Sequence, residues 1–342
     1  MENPLAMNDA PIDAVITWVD GRNEDHQRRR FEYMAKSRLP LHENATNPHR
    51  WACSDEILYC LQSIENHASW IRTIWIVVEC EVPNLSSVSE ELRAKIKFAF
   101  HRDIFDGFTE VLPTFNSLSI ESMIWRIDDL SERFIYFNDD VFLTAPLRPE
   151  DVFEGLTPVL RGKWVNLTEA EHNPSFRSDP SKFNHFMQIN AAKIIGFDAN
   201  SVFCAAHVAH PIRRSTMAQL FGHHQDLFKD NIAYRFRDLR QFLPQGLHNH
   251  ACIAANDAII QPSCDYLHIR SGQGKGGPPA ETWRLLESVS NREVKFLCVN
   301  DLPQLEEVIP EARDWLCGAV GGFPVGAHRL GGLSPVSLAS SC

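Results

Sequence analysis

The sequence predicts an α/β fold: a Rossmann-like, mainly parallel sheet flanked by helices, with a more helical second half. Apolar, β-branched runs recur at regular intervals in the first 140 residues. Segments with helical spacing of apolar side chains separate these runs, and each run ends at polar or turn-forming residues. Strands and helices that alternate at this spacing form parallel βαβ units.

The predicted elements follow one another as strand 12–19, helix 54–64, strand Ile74–Val78, strand Ile96–Phe100, helix 116–127 and the strand that ends at Asn138. The first strand stops at Asp20-Gly21, which is a turn signal. Acidic residues in the first turn of the segment 54–64 support its helical pattern.

The second half is less regular. Its residue pattern predicts helices over 208–228 and 230–243, a flexible glycine-rich connector over 271–279 and a final strand over 294–299. The connector resembles a phosphate-binding loop only superficially, because no strand is predicted immediately before it and Pro278-Pro279 is expected to prevent a helix after it. We predict one domain over 12–317 with parts 12–155, 156–290 and 291–317, a disordered N-terminus (1–11) and a flexible tail (318–342).

Composition excludes some classes of protein. The chain has 342 residues, 44% hydrophobic and 23% charged, with a net charge of -11. Binding of nucleic acid through the phosphate backbone relies on lysine and arginine, so we expect no nucleic-acid partner. Electrostatic docking on anionic lipid is disfavoured for the same reason, which leaves at most peripheral membrane association.

The cysteines and the N-terminus predict a cytoplasmic location. Residues 1–4 lack a basic segment followed by an apolar one, so no signal peptide is predicted. Nine cysteines occur in an odd count without a CxxC pair, which favours free thiols in a reducing compartment.

Asn138, Asp139 and Asp140 interrupt the apolar run 134–143. Two adjacent carboxylates in such a run are costly unless their charge is compensated. A divalent cation is the usual compensation, and oxygen ligands at a strand end suit Mg²⁺ or Mn²⁺. The alternative is an Asx turn, in which these side chains bond the local backbone.

Other polar residues stand at comparable positions. Ligands of parallel sheets bind at the carboxyl ends of the strands. Three such ends carry polar residues, and we expect them to face one crevice: Asp20-Gly21, the segment from His101 to Asp103, and 138–140. Asn300-Asp301 follows the final strand and has two interpretations, as further metal ligands or as the N-cap of the next helix.

Four segments, in order, resemble the conserved regions of the Stealth family of sugar-1-phosphate transferases. They are residues 12–21, then 56–83 with 112–140, then 206–237, then 295–301. The element 112–117 together with 138–140 is the most specific. The resemblance covers most of 12–317 and implies a GT-A-like catalytic domain: a nucleotide-sugar and metal half (12–155), a helical acceptor half (156–290), and a returning strand and helix (291–317).

The family includes bacterial capsule and exopolysaccharide polymerases and the animal lysosomal-enzyme GlcNAc-phosphotransferase. The resemblance implies transfer of a hexose-1-phosphate, such as GlcNAc-1-phosphate, from a UDP-sugar to a glycan hydroxyl, with release of UMP. One alternative is a conventional metal-dependent glycosyltransferase that uses a nucleotide sugar. Another is a non-catalytic sugar-nucleotide-binding protein.

The resemblance also implies the site. His207 is the candidate general base; the alternative is a metal-binding pair with His210 on one helical face, but no further ligand in a recognisable frame supports zinc. Arg237 is the candidate phosphate ligand and Asp140 the catalytic carboxylate. For Arg237 the alternative is a solvated basic helix face. Position at strand ends, together with the resemblance, predicts the metal ligands Asp139, Asp140, Asn300 and Asp301. The predicted donor-binding residues are Trp18, which could instead fill the core, and Asp20, Gly21, Asn116, Glu121, His101 and Asp103. Departures from the family pattern lie at Gln62 and at 78–81.

Overall fold

The structure is a computed structural model that describes residues 10–37, 40–47, 55–290 and 293–323, with the backbone of 336–337. Its strands are β1 Ile12–Thr17, β2 Ile74–Val78, β3 Glu81–Val82, β4 Ile96–Phe100, β5 Arg133–Asn138, β6 Val141–Leu143, β7 Phe153–Glu154, β8 Thr157–Leu160, β9 Gly162–Val165, β10 Val202–Ala205, β11 His210–Arg213, β12 Ile259–Ile260, β13 Tyr266–Ile269, β14 Phe296–Val299 and β15 Val336–Ser337.

The α-helices cover Glu24–Lys36, Glu43–Thr46, Glu56–His67, Glu90–Lys95, His101–Ile104, Ser117–Glu121, Thr168–His172, Phe183–Ile195, Arg214–His223, Gln225–Ala233, Pro244–Ala254, Pro279–Glu287, Leu302–Val308 and Ala312–Ala319. Short 3-10 turns connect several of them, including Ile124–Arg126, which continues the predicted helix 116–127 as a separate turn.

A five-stranded sheet in the order β11-β5-β1-β2-β4 forms the centre of the molecule. β1 pairs in parallel with both β2 and β5, and β2 pairs in parallel with β4. β11 adds an antiparallel edge strand to β5. The prediction of a mainly parallel sheet flanked by helices is confirmed, and strands β2 and β4 have the predicted bounds.

The sheet has a hydrophobic layer on each face. Ile16, Ile76 and Ile135 point into one layer, and their neighbours in sequence, Val15 and Val77, point into the other. Side chains alternate across a strand, so apolar residues at successive positions bury both faces. This explains why the strands are continuous apolar runs in the sequence.

A second sheet, β13-β14-β6, brings the C-terminal part of the chain back to the end of β5. β14 pairs in parallel with β13 and antiparallel with β6. The backbone N–H of Val299 donates to the carbonyl of Asp140 at 3.0 Å, and that of Asn300 donates to Ile269 at 2.9 Å. The two Asn-Asp segments are therefore neighbours in space.

Two predicted helices of the second half are wrong in part. Residues 210–213 form β11, so His207 and His210 do not share a helical face. Pro211 lacks a backbone donor and is tolerated on an edge strand, which is where it lies. The other helix ends at Ala233. Residues 234–243 form an irregular connection that side-chain hydrogen bonds hold in place.

Two expectations for the connector 271–279 are also wrong, namely that no strand precedes it and that no helix follows it. β13 precedes it directly, and the helix Pro279–Glu287 follows it. Proline fits the first turn of a helix, because the N–H it lacks has no partner there. The segment is therefore a strand–loop–helix connection whose first residue, Ser271, reaches the cavity described below.

Free cysteines occur at Cys60, Cys204, Cys252, Cys264, Cys298 and Cys317, but Cys80 is disulfide-bonded. The expectation of free thiols throughout is therefore wrong at Cys80, and the cytoplasmic location, which rested partly on it, stays a prediction. Among the described helices, none has an apolar stretch long enough to cross a membrane. The N-terminus and tail predicted as disordered or flexible lie outside the described residues, apart from 10–11, 318–323 and 336–337.

Candidate active site

A cavity of about 430 Å³ opens at the carboxyl ends of β1, β2, β4 and β5, where parallel sheets bind their ligands. The predicted site residues that line it are Trp18, Gly21, His101, Asn116, Asp139, Asp140, His207, Arg237, Asn300 and Asp301. Three predicted residues do not line it: Asp20, Asp103 and Glu121.

Asp139 and Asp140 form the turn between β5 and β6. Oδ2 of Asp140 accepts a 2.6 Å hydrogen bond from the amide of Asn300. Its Oδ1 is buried and has no hydrogen-bond partner among the described residues. A buried carboxylate oxygen without a partner is costly, and a bound cation would satisfy it. This arrangement fits the predicted metal site.

The surroundings of Asp139 disfavour a negative charge on its carboxyl group. Burial raises the pKa of its carboxyl well above the ordinary value, and the neighbouring Asp140 and Glu56 raise that pKa further. Three carboxylates this close repel one another, so a divalent cation at the turn would stabilise the ionised form of Asp139.

The structure shows one of the two interpretations of Asn300-Asp301, the N-cap, while metal ligation stays a prediction. Asp301 is the N-cap of the helix Leu302–Val308, and its side chain accepts a hydrogen bond from the N–H of Gln304. Its other carboxylate oxygen accepts a 3.2 Å hydrogen bond from Ser271. Asn300, in contrast, faces Asp140 directly. Asn300 is thus linked to the acidic turn, while Asp301 caps a helix at the rim of the cavity.

His207 follows β10 and is oriented from the end of β5. The hydroxyl of Tyr136 donates to Oδ1 of Asn138 at 2.7 Å, which directs the Asn138 amide toward Nε2 of His207 at 3.4 Å. Thr17 lies 2.9 Å from the same hydroxyl. Tyr136 is fully buried. A chain of polar groups from the central strands therefore sets the orientation of the imidazole.

His268 is a site residue that the sequence reasoning missed. Its ring stacks on that of His207, with centroids 5.0 Å apart and an angle of 18°. Its Nε2 lies 2.5 Å from Oδ1 of Asn300. His268 thus joins His207 to the amide that bonds Asp140. The signal was weak, because β13 is only four residues long and was not predicted.

His210 and His101 are both neutral imidazoles. Burial, with the charges of His207 and His248, lowers the pKa of His210 to about 3. Burial and the nearby His26 lower the pKa of His101 to about 3. His101 lines the cavity at the end of β4. These groups can accept or donate hydrogen bonds without adding positive charge at neutral pH.

Arg237 lies on the irregular connection 234–243 and donates to Oγ of Ser117 at 2.6 Å. Burial lowers the pKa of its guanidinium, while Glu121, Tyr136 and Asp140 raise it. Even so, a guanidinium stays charged in proteins. It is therefore a cation placed close to the acidic turn.

The predicted residues Asn116 and Glu121 support this connection. The amide nitrogen of Asn116 donates to the carbonyl of Tyr234 at 2.8 Å and to Gln241 at 2.9 Å. Glu121 is buried, accepts a 2.7 Å hydrogen bond from Gln245 and interacts electrostatically with Arg237. Both act on the position or charge of Arg237, although only Asn116 reaches the cavity.

At the other end of the cavity, Trp18 is largely buried and belongs to the core as well as to the cavity wall. Asp20 is buried and accepts hydrogen bonds from the backbone and side chain of Arg22, so it orders the turn after β1. Asp103 is exposed and lies 3.5 Å from Arg102. The structure does not bring Asp103 into the site.

The two departures from the family pattern differ in position. Gln62 is buried in the helix Glu56–His67, where it bonds Glu65 and Asn66 away from the cavity. Glu79 lines the cavity and pairs with Arg29 through two contacts of 2.5 and 3.0 Å. Of the two, only the departure at Glu79 touches the region where a donor would bind.

Comparison with known protein families identifies two matches. Residues 10–38 match Stealth protein conserved region 1, and residues 50–158 match conserved region 2. These ranges contain β1 to β5 and the acidic turn, so they include the carboxylate side of the cavity. The resemblance inferred from the sequence is confirmed.

Relatives extend over most of the chain. It is 30% identical to an exopolysaccharide phosphotransferase of Streptomyces coelicolor, over 86% of this chain and 47% of that protein. It is 26% identical to capsular polysaccharide phosphotransferases of Haemophilus influenzae (88% of this chain, 81% of the relative) and Streptococcus pneumoniae (88% and 93%). The chain thus spans about half the length of the Streptomyces relative.

Among solved structures, an apo WbbM bifunctional glycosyltransferase overlays with a TM-score of 0.44 at 14% identity, covering 92% of this chain and 50% of that one. This likeness is too distant to inform function.

Proposed function

We propose that the chain transfers a hexose-1-phosphate from a nucleotide sugar to a glycan hydroxyl, because residues 10–38 and 50–158 match conserved regions 1 and 2 of Stealth proteins. We take a UDP-sugar such as UDP-GlcNAc as the donor, UMP as the leaving group, and capsule or exopolysaccharide synthesis as the setting. Relatives named capsular and exopolysaccharide phosphotransferases support the type of reaction and its setting in polysaccharide synthesis. The alternative is a conventional glycosyltransferase, which breaks the bond at the anomeric carbon and releases UDP.

One observation carries the proposal: Arg237 and Asp140 line the same cavity, and the negative charge of Asp140 raises the pKa of Arg237. One carboxylate oxygen of Asp140 has no hydrogen-bond partner among the described residues. Phosphoryl transfer depends mainly on positioning and on neutralising charge at the phosphate oxygens. A guanidinium on one side and a carboxylate-held cation on the other would supply that neutralisation.

The reaction exchanges one bond to phosphorus for another. The acceptor oxygen bonds to the phosphorus next to the sugar, and the bond from that phosphorus to the bridging diphosphate oxygen breaks. The hydroxyl proton passes to His207, for which Asn138 and Tyr136 set the ring orientation. Arg237 holds the oxygens of the transferring phosphate in a bidentate fork. The bridging oxygen departs with the nucleoside monophosphate.

We propose Mg²⁺ or Mn²⁺ as the cofactor. Asp139 and Asp140 would hold it, and Asn300 and Asp301 line the same cavity. When bound, such an ion would neutralise charge on the diphosphate. The sugar and the acceptor hydroxyl would bind in the rest of the cavity.

The nucleotide product distinguishes the two reactions. Incubation of the full chain with a UDP-sugar, Mg²⁺ and acceptor oligosaccharides should release UMP and give a phosphodiester signal in ³¹P NMR. His207→Gln is the background control, since it keeps the fold but removes the proposed base. Release of UDP with a phosphorus-free product would contradict the proposal. Donor binding without any turnover would favour a non-catalytic binding protein.

A further inference from the structure

Asp140, His207 and Cys298 each bring one potential metal-ligand atom into the same small volume; the three atoms all lie within 4.8 Å of one another. We propose that these side chains form a site for a thiophilic divalent cation such as Zn²⁺, and that its occupation inhibits the enzyme. The site is separate in chemistry from the oxygen ligands proposed for Mg²⁺ or Mn²⁺. The inhibition, but not the binding, rests on the proposed function.

Three different elements build this cluster. Asp140 ends the turn before β6, Cys298 lies on β14 opposite Val141, and His207 follows β10. The amide nitrogen of Asn300 lies 2.6 Å from Oδ2 of Asp140 and 3.4 Å from the sulfur of Cys298. One amide group therefore contacts both ligands, and the second oxygen of Asp140 stays without a partner among the described residues.

The donor atoms suit zinc better than magnesium. Tetrahedral zinc with bonds of about 2.0–2.3 Å places its ligand atoms about 3.5 Å apart. The three ligand atoms lie within 4.8 Å of one another, so each pair must approach by at most about 1.3 Å. Thiolate and imidazole favour Zn²⁺ or Co²⁺, whereas Mg²⁺ prefers oxygen ligands in octahedral geometry. Metal binding removes the thiol proton of Cys298 to solvent. Two of the three ligand residues, Asp140 and His207, also line the cavity.

Occupation of this site excludes catalysis for two reasons. The lone pair of His207 that binds the cation no longer accepts the proton of the acceptor hydroxyl. Asp140 is shared with the proposed oxygen-liganded ion, so the two cations compete for one carboxylate. The sequence disfavoured zinc because His207 and His210 lacked a third ligand; Cys298, which lies 91 positions further along the chain, supplies it only in the folded structure.

Direct binding can be measured with Co²⁺, whose thiolate complexes absorb in the near ultraviolet. Titration of the full chain without Mg²⁺ should give a thiolate-to-cobalt charge-transfer band that Zn²⁺ abolishes at a far lower concentration than Mg²⁺ does. Cys298→Ser should remove the band. Cys60→Ser is the matched control, because Cys60 is equally buried and lies near the same aspartates but is not in the cluster. A band that survives in Cys298→Ser, or no band in the unchanged chain, would overturn the site.

Inhibition is measured in the UMP-release assay at constant Mg²⁺, with each variant compared to its own zinc-free rate. Cys298→Ser should raise the half-inhibitory Zn²⁺ concentration by at least about tenfold; equal sensitivity would reject the inhibitory role. If circular dichroism shows that Cys298→Ser is unfolded, His207→Gln replaces it in the cobalt titration and should weaken cobalt binding. A chain that binds Co²⁺ but releases no UMP would refute the proposed transferase activity and leave the metal site standing.

Discussion

Two groups of residues in the site are positioned in different ways, and we name them by their backbone. The strand side is Asp139 and Asp140, which follow a central parallel strand and are held by backbone hydrogen bonds of two sheets. The loop side is His207 and Arg237, which lie outside helices and strands and are positioned by side-chain hydrogen bonds. Regular backbone structure thus supports the proposed metal ligands, whereas the proposed base and phosphate ligand depend on individual side chains. Substitutions should therefore have different consequences on the two sides.

The largest effect is expected on the strand side. Asp140→Asn keeps the shape of the side chain but removes its charge, so we expect the rate of UMP release to fall roughly a thousandfold, the equivalent of several kcal/mol of charge stabilisation. The fold should persist, because backbone pairing holds the turn. Asp226→Asn, at a side chain that is 97% exposed, is the control. A loss of less than tenfold in Asp140→Asn would show that this carboxylate is not essential.

On the other side, Arg237→Lys retains a positive charge but loses the bidentate fork. We expect the rate to fall about a hundredfold, because a lysine binds phosphate as a point charge. Arg240→Lys lies three residues away at an exposed position, pairs with Asp238, and should change the rate less than twofold. Steady-state kinetics on both variants test this. Equal effects of the two substitutions would mean that the position of Arg237 carries no special role.

A smaller effect is expected at Tyr136, a strand residue whose hydroxyl orients His207 through Asn138. Tyr136→Phe removes the hydroxyl that orients Asn138 toward His207, and we expect kcat to fall about fivefold, since one neutral hydrogen bond contributes about 1 kcal/mol. KM for the donor should change little. Tyr59→Phe removes another largely buried tyrosine hydroxyl outside the cavity and serves as control. If kcat is unchanged in Tyr136→Phe, the hydrogen-bond chain does not orient the base.

The smallest effect on the rate is expected from His248, which does not line the cavity; its substitution should change stability in acid instead. Burial lowers the pKa of His248 to about 4 from 6.5, so the unfolded chain binds its proton first as the pH falls. The contribution of neutral His248 is complete above pH 6.5 and is lost toward pH 4, about 3 kcal/mol in all. His248→Gln keeps an acceptor for the N–H of Arg213, which now bonds Nε2 at 3.1 Å. Urea unfolding at pH 7 and pH 5 should show a weaker pH dependence in the variant; an unchanged dependence would contradict the assigned pKa.

How far the sequence predicted the fold depends on where each element gets its stability. β2 and β4 were predicted with the bounds that the structure shows: β2 is a fully buried apolar run, and β4 is an edge strand whose apolar residues alternate with Lys97 and Ala99. β11 was missed: it has four residues, includes Pro211, and exists through pairing with β5, about 75 residues earlier in the chain. Local pattern cannot reveal an edge strand that a distant strand stabilises.

The same distinction applies to the candidate site. The acidic turn was recognisable because charged residues inside an apolar run require an explanation. His268 and Cys298 were not, because a single histidine or cysteine on a short strand has no local signature. Their relation to Asn300 and Asp140 arises from the second sheet, β13-β14-β6, which brings together His268 and Asn300, 32 positions apart, and Asn300 and Asp140, 160 positions apart.

By itself, the sequence determined the parallel sheet, the resemblance to the Stealth conserved regions and the polar strand ends, because alternation of strands and helices, short motifs and the burial cost of charge are local properties. Only the tertiary structure decided which of those residues meet. It placed Asp103 on the surface, used Asp301 as a helix cap, brought Arg237 to the acidic turn through an irregular connection, and added His268 and Cys298. Such contacts depend on pairing between distant segments, and no single segment encodes them.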